Sequence, residues 1–192
     1  MDPALSQTLK EDLYRHRGKA DWKSFFSAYI QSPGFRFTYY LRKSAYYRPK
    51  KHSIGIIPYI YYRLLLNRYR FRYGFEISPT TSIGPGFYLG HFGGVVISPD
   101  AILGSNINIA QGVTIGAASR GPKVGAPTLE DRVWVGANAI IVGKVTIGRE
   151  ALIAPGAYVN FDVPANSVVL GNPGKVVSDT GSKGYINRTM HE

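Results

Sequence analysis

The sequence predicts a mainly β fold, a parallel β-helix of about four coils behind an α-helical head. Three features predict it: an aliphatic residue at every sixth position over more than eighty residues, glycines directly after many of those aliphatics, and a change of composition near Gly74. The aliphatics fall in three phased blocks, Ile77, Ile83 and Leu89, then Ile97, Leu103, Ile109 and Ile115, then Leu129, Val135, Ile141, Ile147, Ile153 and Val159. Small or β-branched residues recur four positions on, as at Thr81, Ala101, Val113 and Ala139. Neither the 3.6-residue period of an amphipathic helix nor the two-residue period of a half-buried strand produces this spacing. A triangular coil does. Three six-residue faces make one turn, each aliphatic points inward, and turns stack at roughly 4.8 Å, the inter-strand spacing.

Residues 1–74 form the head. They hold 15 of the 23 Lys and Arg and 4 of the 12 acids, so the net charge of +11 lies entirely there, together with 11 of the 14 tyrosines. Helices are expected over Leu5 to Arg17, Trp22 to Ile30 and Phe35 to Tyr47, with Ser32-Pro33-Gly34 as a break. A further helix is expected from Pro58 to Tyr73, where aromatics and arginines surround Leu64-Leu65-Leu66. One reading of it is a cap on the first coil with arginine heads in solvent. Another is a basic aromatic face for an anionic membrane surface or a polyanionic acceptor, through Arg63, Arg68, Arg70 and Arg72. No recognition motif accompanies the charge, and nucleic acid is not an expected partner.

The β-helix is assigned to residues 75–163, and residues 164–192 to a turn and a polar tail. The chain is expected to leave the repeat at Pro164, turn through Gly171-Asn172-Pro173-Gly174-Lys175, and end in fifteen mobile polar residues. Cysteine is absent, which excludes a disulfide framework, a thiol nucleophile and cysteine-ligated metal. The first twelve residues lack the basic-then-apolar order of a signal peptide. Ile54 to Tyr62, interrupted by Gly55 and Pro58, is far shorter than the roughly 20 residues of a membrane span. The expected location is cytoplasmic, with the inner face of the membrane as an extension of the basic-head reading.

Insertions in a solenoid land on its surface, where chemistry can be built. Two occur. Leu89 to Ile97 is two residues longer than one repeat and contains His91-Phe92-Gly93-Gly94, and Ile115 to Leu129 is two residues longer than two repeats and contains the basic loop from Ala118 to Pro127. Of the four histidines, His16 and His52 lie in the head and His191 beside the last residue, leaving His91 as the one in the repeat.

The stretch from Ile83 through Gly90-His91-Phe92-Gly93-Gly94 to Ser98, with Ile109 to Gly116 and Gly171 to Lys175, resembles the hexapeptide-repeat O-acetyltransferases, that is, the serine acetyltransferases and related polysaccharide O-acetyltransferases. The resemblance covers Phe75 to Val177. It implies a left-handed parallel β-helix, a homotrimer, acetyl-CoA as co-substrate in a groove between neighbouring prisms, and no metal. It implies His91 as the catalytic histidine and Glu76, fifteen positions earlier, as its carboxylate partner where the serine enzymes carry aspartate. Acyl-donor contacts carry over to Gly116, Ala117, Gly136, Ala137 and Pro155, where small residues let pantetheine lie close to the backbone, and Lys175 is a candidate for a phosphate of CoA.

That assignment fits the chemistry. A hydroxyl attacking a thioester needs a base with a pKa near 6.5 to take its proton. A carboxylate on the far ring nitrogen fixes the tautomer and stabilises the imidazolium. The oxyanion needs a pre-aimed donor, such as an N–H of the Gly93-Gly94 turn or one from the neighbouring chain. The resemblance breaks where serine acetyltransferases carry an aspartate before the catalytic histidine and an Arg-His pair in the later loop. Those positions are Gly90, Gly125 and Ala126, and without a charged fork for a carboxylate the expected acceptor is a carbohydrate hydroxyl, with serine as the alternative. A carbonic-anhydrase-like zinc site on this fold needs three converging histidines. A non-catalytic β-helix scaffold is the rival from outside enzymology.

Overall fold

A computed structural model describes residues 2–50 and 55–190. His52, His191 and the Ile54 start of the apolar stretch lie outside the described residues. The head is four helices, α1 (Pro3–Arg17), α2 (Trp22–Gln31), α3 (Pro33–Tyr47) and α4 (Ile56–Tyr73), with a 3-10 turn at Arg48–Lys50 after α3. Asp2 caps α1 by accepting from the Ala4 and Leu5 N–H groups, and Asp21 caps α2 through the Ser24 N–H at 2.7 Å. Ser32 alone makes the break between α2 and α3. Its backbone ends one helix while its hydroxyl caps the next, and Pro33 is tolerated in the first turn because it lacks the N–H that a helix start leaves unpaired. Gly34 lies inside α3, since an added Cβ would fall 2.0 Å from the Leu89 carbonyl.

The solenoid has three faces. The first holds β1 (Phe75–Ile77), β4 (Val95–Ile97), β7 (Thr114–Gly116), β10 (Ile140–Val142) and β13 (Tyr158–Val159), all parallel and in register. The second holds β2 (Ser82–Ile83), β5 (Ile102–Leu103), β8 (Thr128–Leu129) and β11 (Thr146–Ile147). The third stacks β3 (Tyr88–Leu89), β6 (Asn108–Ile109), β9 (Trp134–Val135), β12 (Leu152–Ile153) and β14 (Val168–Leu170), with β15 (Lys175–Ser178) antiparallel at its edge. This is a left-handed parallel β-helix of about five turns. The hexad count gave about four, because it stopped at Val159 and Pro164. Proline ends only the strand: Val163 still bridges to Ile147, and β14 completes the last turn against β12.

The counted aliphatics fill the prism. Ile77, Leu89, Ile97, Leu103, Ile109, Ile115, Leu129, Val135, Ile141, Ile147, Ile153 and Val159 are buried, and Ile83 is partly so. Each contributes roughly 1.5–3 kcal/mol by leaving water. Phe75 and Phe87 continue this core into the head, where Phe37 packs at a tilt against Phe75 with centroids 5.0 Å apart.

Polar bonds lock head to coil. The buried Asp12 accepts from Arg42 at 2.9 and 3.2 Å and from the Phe87 N–H at 2.9 Å, while Arg42 also donates to the Ile83 and Gly84 carbonyls. The tail, expected to be mobile, packs along the third face instead. Ser182 donates through its N–H to the Glu150 carbonyl and through its hydroxyl to the Arg132 carbonyl, Tyr185 lies against Trp134, and the buried Arg15 of α1 reaches the Asn187 carbonyl. Its polarity misled because the acceptors and aromatic that hold it belong to distant segments. Among the described residues no helix is long and apolar enough to cross a membrane.

Candidate active site

His91 sits where the third face turns into the first, directly after β3 and Gly90, and its side chain is exposed. It lines a hollow of about 140 Å³ with Tyr88, Gly90, Asn108, Ala110 and Trp134. Trp134 is also a wall of a larger cavity of about 580 Å³, bounded by Leu152, Pro155, Leu170, Lys183 and Tyr185. A groove therefore runs down the third face from His91, past Trp134, to Pro155 and the tail.

The extra residues after His91 give the chain its corner. Gly93 and Gly94 both have positive φ, 113° and 66°, which an L side chain adopts only with strain. The Gly93 N–H donates to the Tyr73 carbonyl at 2.9 Å, and the Gly93 carbonyl accepts from the Gly112 N–H at 2.9 Å. The Gly93 N–H is thus committed to the fold. Of the two N–H groups expected in this turn, Gly94 is the one left for an oxyanion.

Glu76 lies on the other side of the same corner, outward on β1, which pairs with the β4 strand that begins four residues after His91. Its carboxylate bonds Arg70 at 2.6 Å, in a hollow shared with Arg63, Ser78 and Ser98. Among the described residues no hydrogen bond joins it to His91.

The expected acyl-donor residues divide between two corners. Gly136, Ala137 and Pro155 stack below His91, with the Gly156 N–H bonded to the Ala137 carbonyl at 2.8 Å. Gly116 and Ala117 lie at the corner between the first and second faces, beside the basic loop. Lys175, on β15, is exposed and pairs in register with Leu170 of the groove wall. One chain does not bring the two corners together.

The glycines differ in what they serve. A Cβ at Gly136 would fall 2.6 Å from the Pro155 nitrogen and 2.8 Å from the Trp134 ring, so coil stacking requires that glycine. A Cβ at Gly116 would meet only ordinary contacts, 3.6 Å or more. At Gly90 a Cβ would crowd Tyr88 at 3.1 Å, and Gly125 combines a φ of 125° with the Lys144 stem 3.3 Å from where its Cβ would be. Tyr88 and Lys144 fill the space beside these two glycines.

Sequence reasoning missed a polar seam behind the hollow. Asn108 accepts from the buried Arg15 and donates to the Tyr185 carbonyl at 3.4 Å, so α1, the hollow floor and the tail share one set of bonds. His16, also in α1, is half-buried against Tyr88 with centroids 4.5 Å apart and bonds the Ser32 hydroxyl at 3.0 Å. Burial and the neighbouring Arg15, Arg17 and Arg188 push its pKa down to about 3. Trp134 was findable as an aromatic at an outward repeat position. Nothing local marks Asn108 or Tyr185.

Comparison with known proteins gives consistent matches. The family Bacterial transferase hexapeptide (six repeats) matches residues 126–160. A serine acetyltransferase of Bacillus pumilus is 37% identical over 147 residues, covering 77% of this chain and 64% of that protein. One of Bacillus licheniformis is 40% identical over 114 residues, covering 59% of this chain and 53% of that protein. The chain thus spans between half and two thirds of the length of these curated relatives. Among solved structures, Neisseria gonorrhoeae serine acetyltransferase in complex with serine superposes with a TM-score of 0.72 at 32% identity, covering 92% of this chain and 70% of that one. Soybean serine acetyltransferase complexed with serine gives a TM-score of 0.76 at 28% identity, covering 92% and 70%.

These matches overturn the expected carbohydrate acceptor. The named relatives and the solved neighbours are serine acetyltransferases, and they favour the alternative. The inference from Gly90, Gly125 and Ala126 failed because three missing side chains exclude one way of gripping a carboxylate, not the acceptor that carries it.

Proposed function

Because the chain belongs to the hexapeptide-repeat O-acetyltransferase family, we propose that it transfers the acetyl group of acetyl-CoA to the hydroxyl of serine. His91 at the head of the third-face groove is the observation that carries the proposal. Its imidazole takes the hydroxyl proton as the oxygen attacks the thioester carbonyl, and returns it to the departing thiolate, so that O-acetylserine and free CoA are formed. The Gly94 N–H is the candidate donor to the tetrahedral oxyanion. Glu76 is proposed to orient the imidazole once its contact with Arg70 opens.

Acetyl-CoA is proposed to lie along the corner of Gly136, Ala137 and Pro155, with Lys175 toward its phosphates. Gly116 and Ala117 complete the groove from a neighbouring chain. The spare room at Gly116 supports this, since its smallness is not required by its own chain's packing. A homotrimer is the assembly that closes such a groove. The basic loop, with Arg120 and Lys123 beside Lys144, supplies positive charge for an amino-acid carboxylate. A cytoplasmic location accords with a chain that uses no cysteine, and the basic head is proposed to meet the inner face of the membrane.

The test is direct. The protein is incubated with acetyl-CoA and L-serine, and liberated CoA is read with a thiol reagent, which has no background here because the chain has no cysteine. Serine-dependent CoA release with O-acetylserine as product is expected. Donor binding by thermal shift without serine turnover would remove serine as acceptor, and no shift with acetyl-CoA would leave the chain a scaffold.

A further inference from the structure

The outward side of α4 is not explained by acetyl transfer. This helix has two apolar faces. One, formed by Tyr62, Leu65, Leu66, Tyr69 and Tyr73, packs into the main core. The other is exposed: Ile57 is 73%, Leu64 63% and Phe71 82% exposed, and Ile60 and Tyr61 are exposed with them. Positions 57, 60, 61, 64 and 71 fall within an arc of about 100° on a 3.6-residue helix, so they form one stripe along the helix. A stripe of this kind marks an interaction surface, because monomeric surfaces rarely hold contiguous large apolar side chains.

Charge identifies what covers it. Arg68 lies within the stripe and Arg72 beside it, both exposed, and α4 contains no acidic residue. The four arginines expected to act together are divided: Arg63 and Arg70 line the hollow around Glu76, while Arg68 and Arg72 stay with the apolar row. An isologous contact between two copies would set the same cationic row against itself. An anionic bilayer accepts both components, the apolar side chains below the headgroups and the guanidinium groups among the phosphates. The second exposed row of the head, Trp22, Phe26 and Ile30 on α2, follows an i, i+4, i+8 spacing and carries Lys23 beside Trp22.

We propose that the outward face of α4 docks the protein on an anionic lipid surface, with Ile57, Ile60, Tyr61, Leu64 and Phe71 entering the interface and Arg68 and Arg72 pairing with lipid phosphate. The proposal is independent of the acceptor and holds for any activity of the coil.

Vesicle co-sedimentation tests it, with phosphatidylcholine alone against phosphatidylcholine containing one quarter phosphatidylglycerol. The full chain is expected to partition onto the anionic vesicles, and less so as salt rises. Each of Arg68→Gln and Arg72→Gln should lower partitioning about fivefold, and Leu64→Glu by about tenfold or more, with serine-dependent CoA release unchanged. If Leu64→Glu fails to fold by circular dichroism, Phe71→Ser, at the most exposed position of the stripe, takes its place. Absence of binding to anionic vesicles, or equal binding by a folded stripe variant, would overturn the proposal. So would a stripe variant with a smaller particle mass in light scattering, since a second copy would then be the occupant.

Discussion

At the scale of single residues, the proposed transfer rests on one imidazole. His91→Ala is expected to lose about 10²- to 10⁴-fold in turnover, the range for removal of a general base, while still binding acetyl-CoA, because its side chain lies on the surface and supports no core contact. Steady-state kinetics with a thermal-shift control measures both. His16 predicts a different dependence. The folded state resists protonating it until about pH 3, whereas the unfolded chain protonates it near 6.5. Protonation therefore favours unfolding, and the stability present above pH 6.5 is lost as pH falls, by up to about 1.4 kcal/mol per pH unit from this group. Denaturant midpoints between pH 6.5 and 5 should fall for the native chain and fall less for His16→Gln. Equal slopes would assign the acid sensitivity elsewhere.

At the scale of elements, the coil was legible because every sixth side chain faces one narrow core, so the period itself states the geometry. The helices were legible to within two residues at most ends. Gly34 was not: its place within α3 rather than in a turn depends on the Leu89 carbonyl of another element, which no local pattern encodes. Gly34→Ala should push α3 from β3 and cost about 2 kcal/mol or more, measurable by urea denaturation. The Asp12–Arg42 pair was equally hidden, since an acid and a base thirty residues apart on two helices give no spacing signal. Asp12→Ala leaves Arg42 largely buried without its carboxylate and the Phe87 N–H unpaired, and is expected to cost about 3–5 kcal/mol. A loss below 1 kcal/mol would show that the head is held by its aromatic packing alone.

At the scale of the molecule, the groove explains both what the sequence located and what it did not. His91 was singled out by a break in the repeat, and Gly136, Ala137 and Pro155 fall on the same corner below it. Gly116 and Ala117 fall on another corner, which the proposed groove takes from a neighbouring chain. Asn108, Arg15 and Tyr185, which build the floor behind the hollow, come from three distant segments and have no motif. The acceptor was misread because it was argued from absent side chains. A shared groove predicts a trimer in light scattering. It also predicts partial recovery of activity when His91→Ala is mixed with a variant blocked at Gly116, since each then supplies the corner that the other lacks.

The proposed acetyl transfer is tested by serine-dependent release of CoA from acetyl-CoA by the native chain and by His91→Ala under the same conditions. Saturable formation of O-acetylserine by the first and a rate lower by at least about 10²-fold in the second are expected. Equal rates from the two proteins, or no serine-dependent release from a native chain that binds acetyl-CoA, would contradict it.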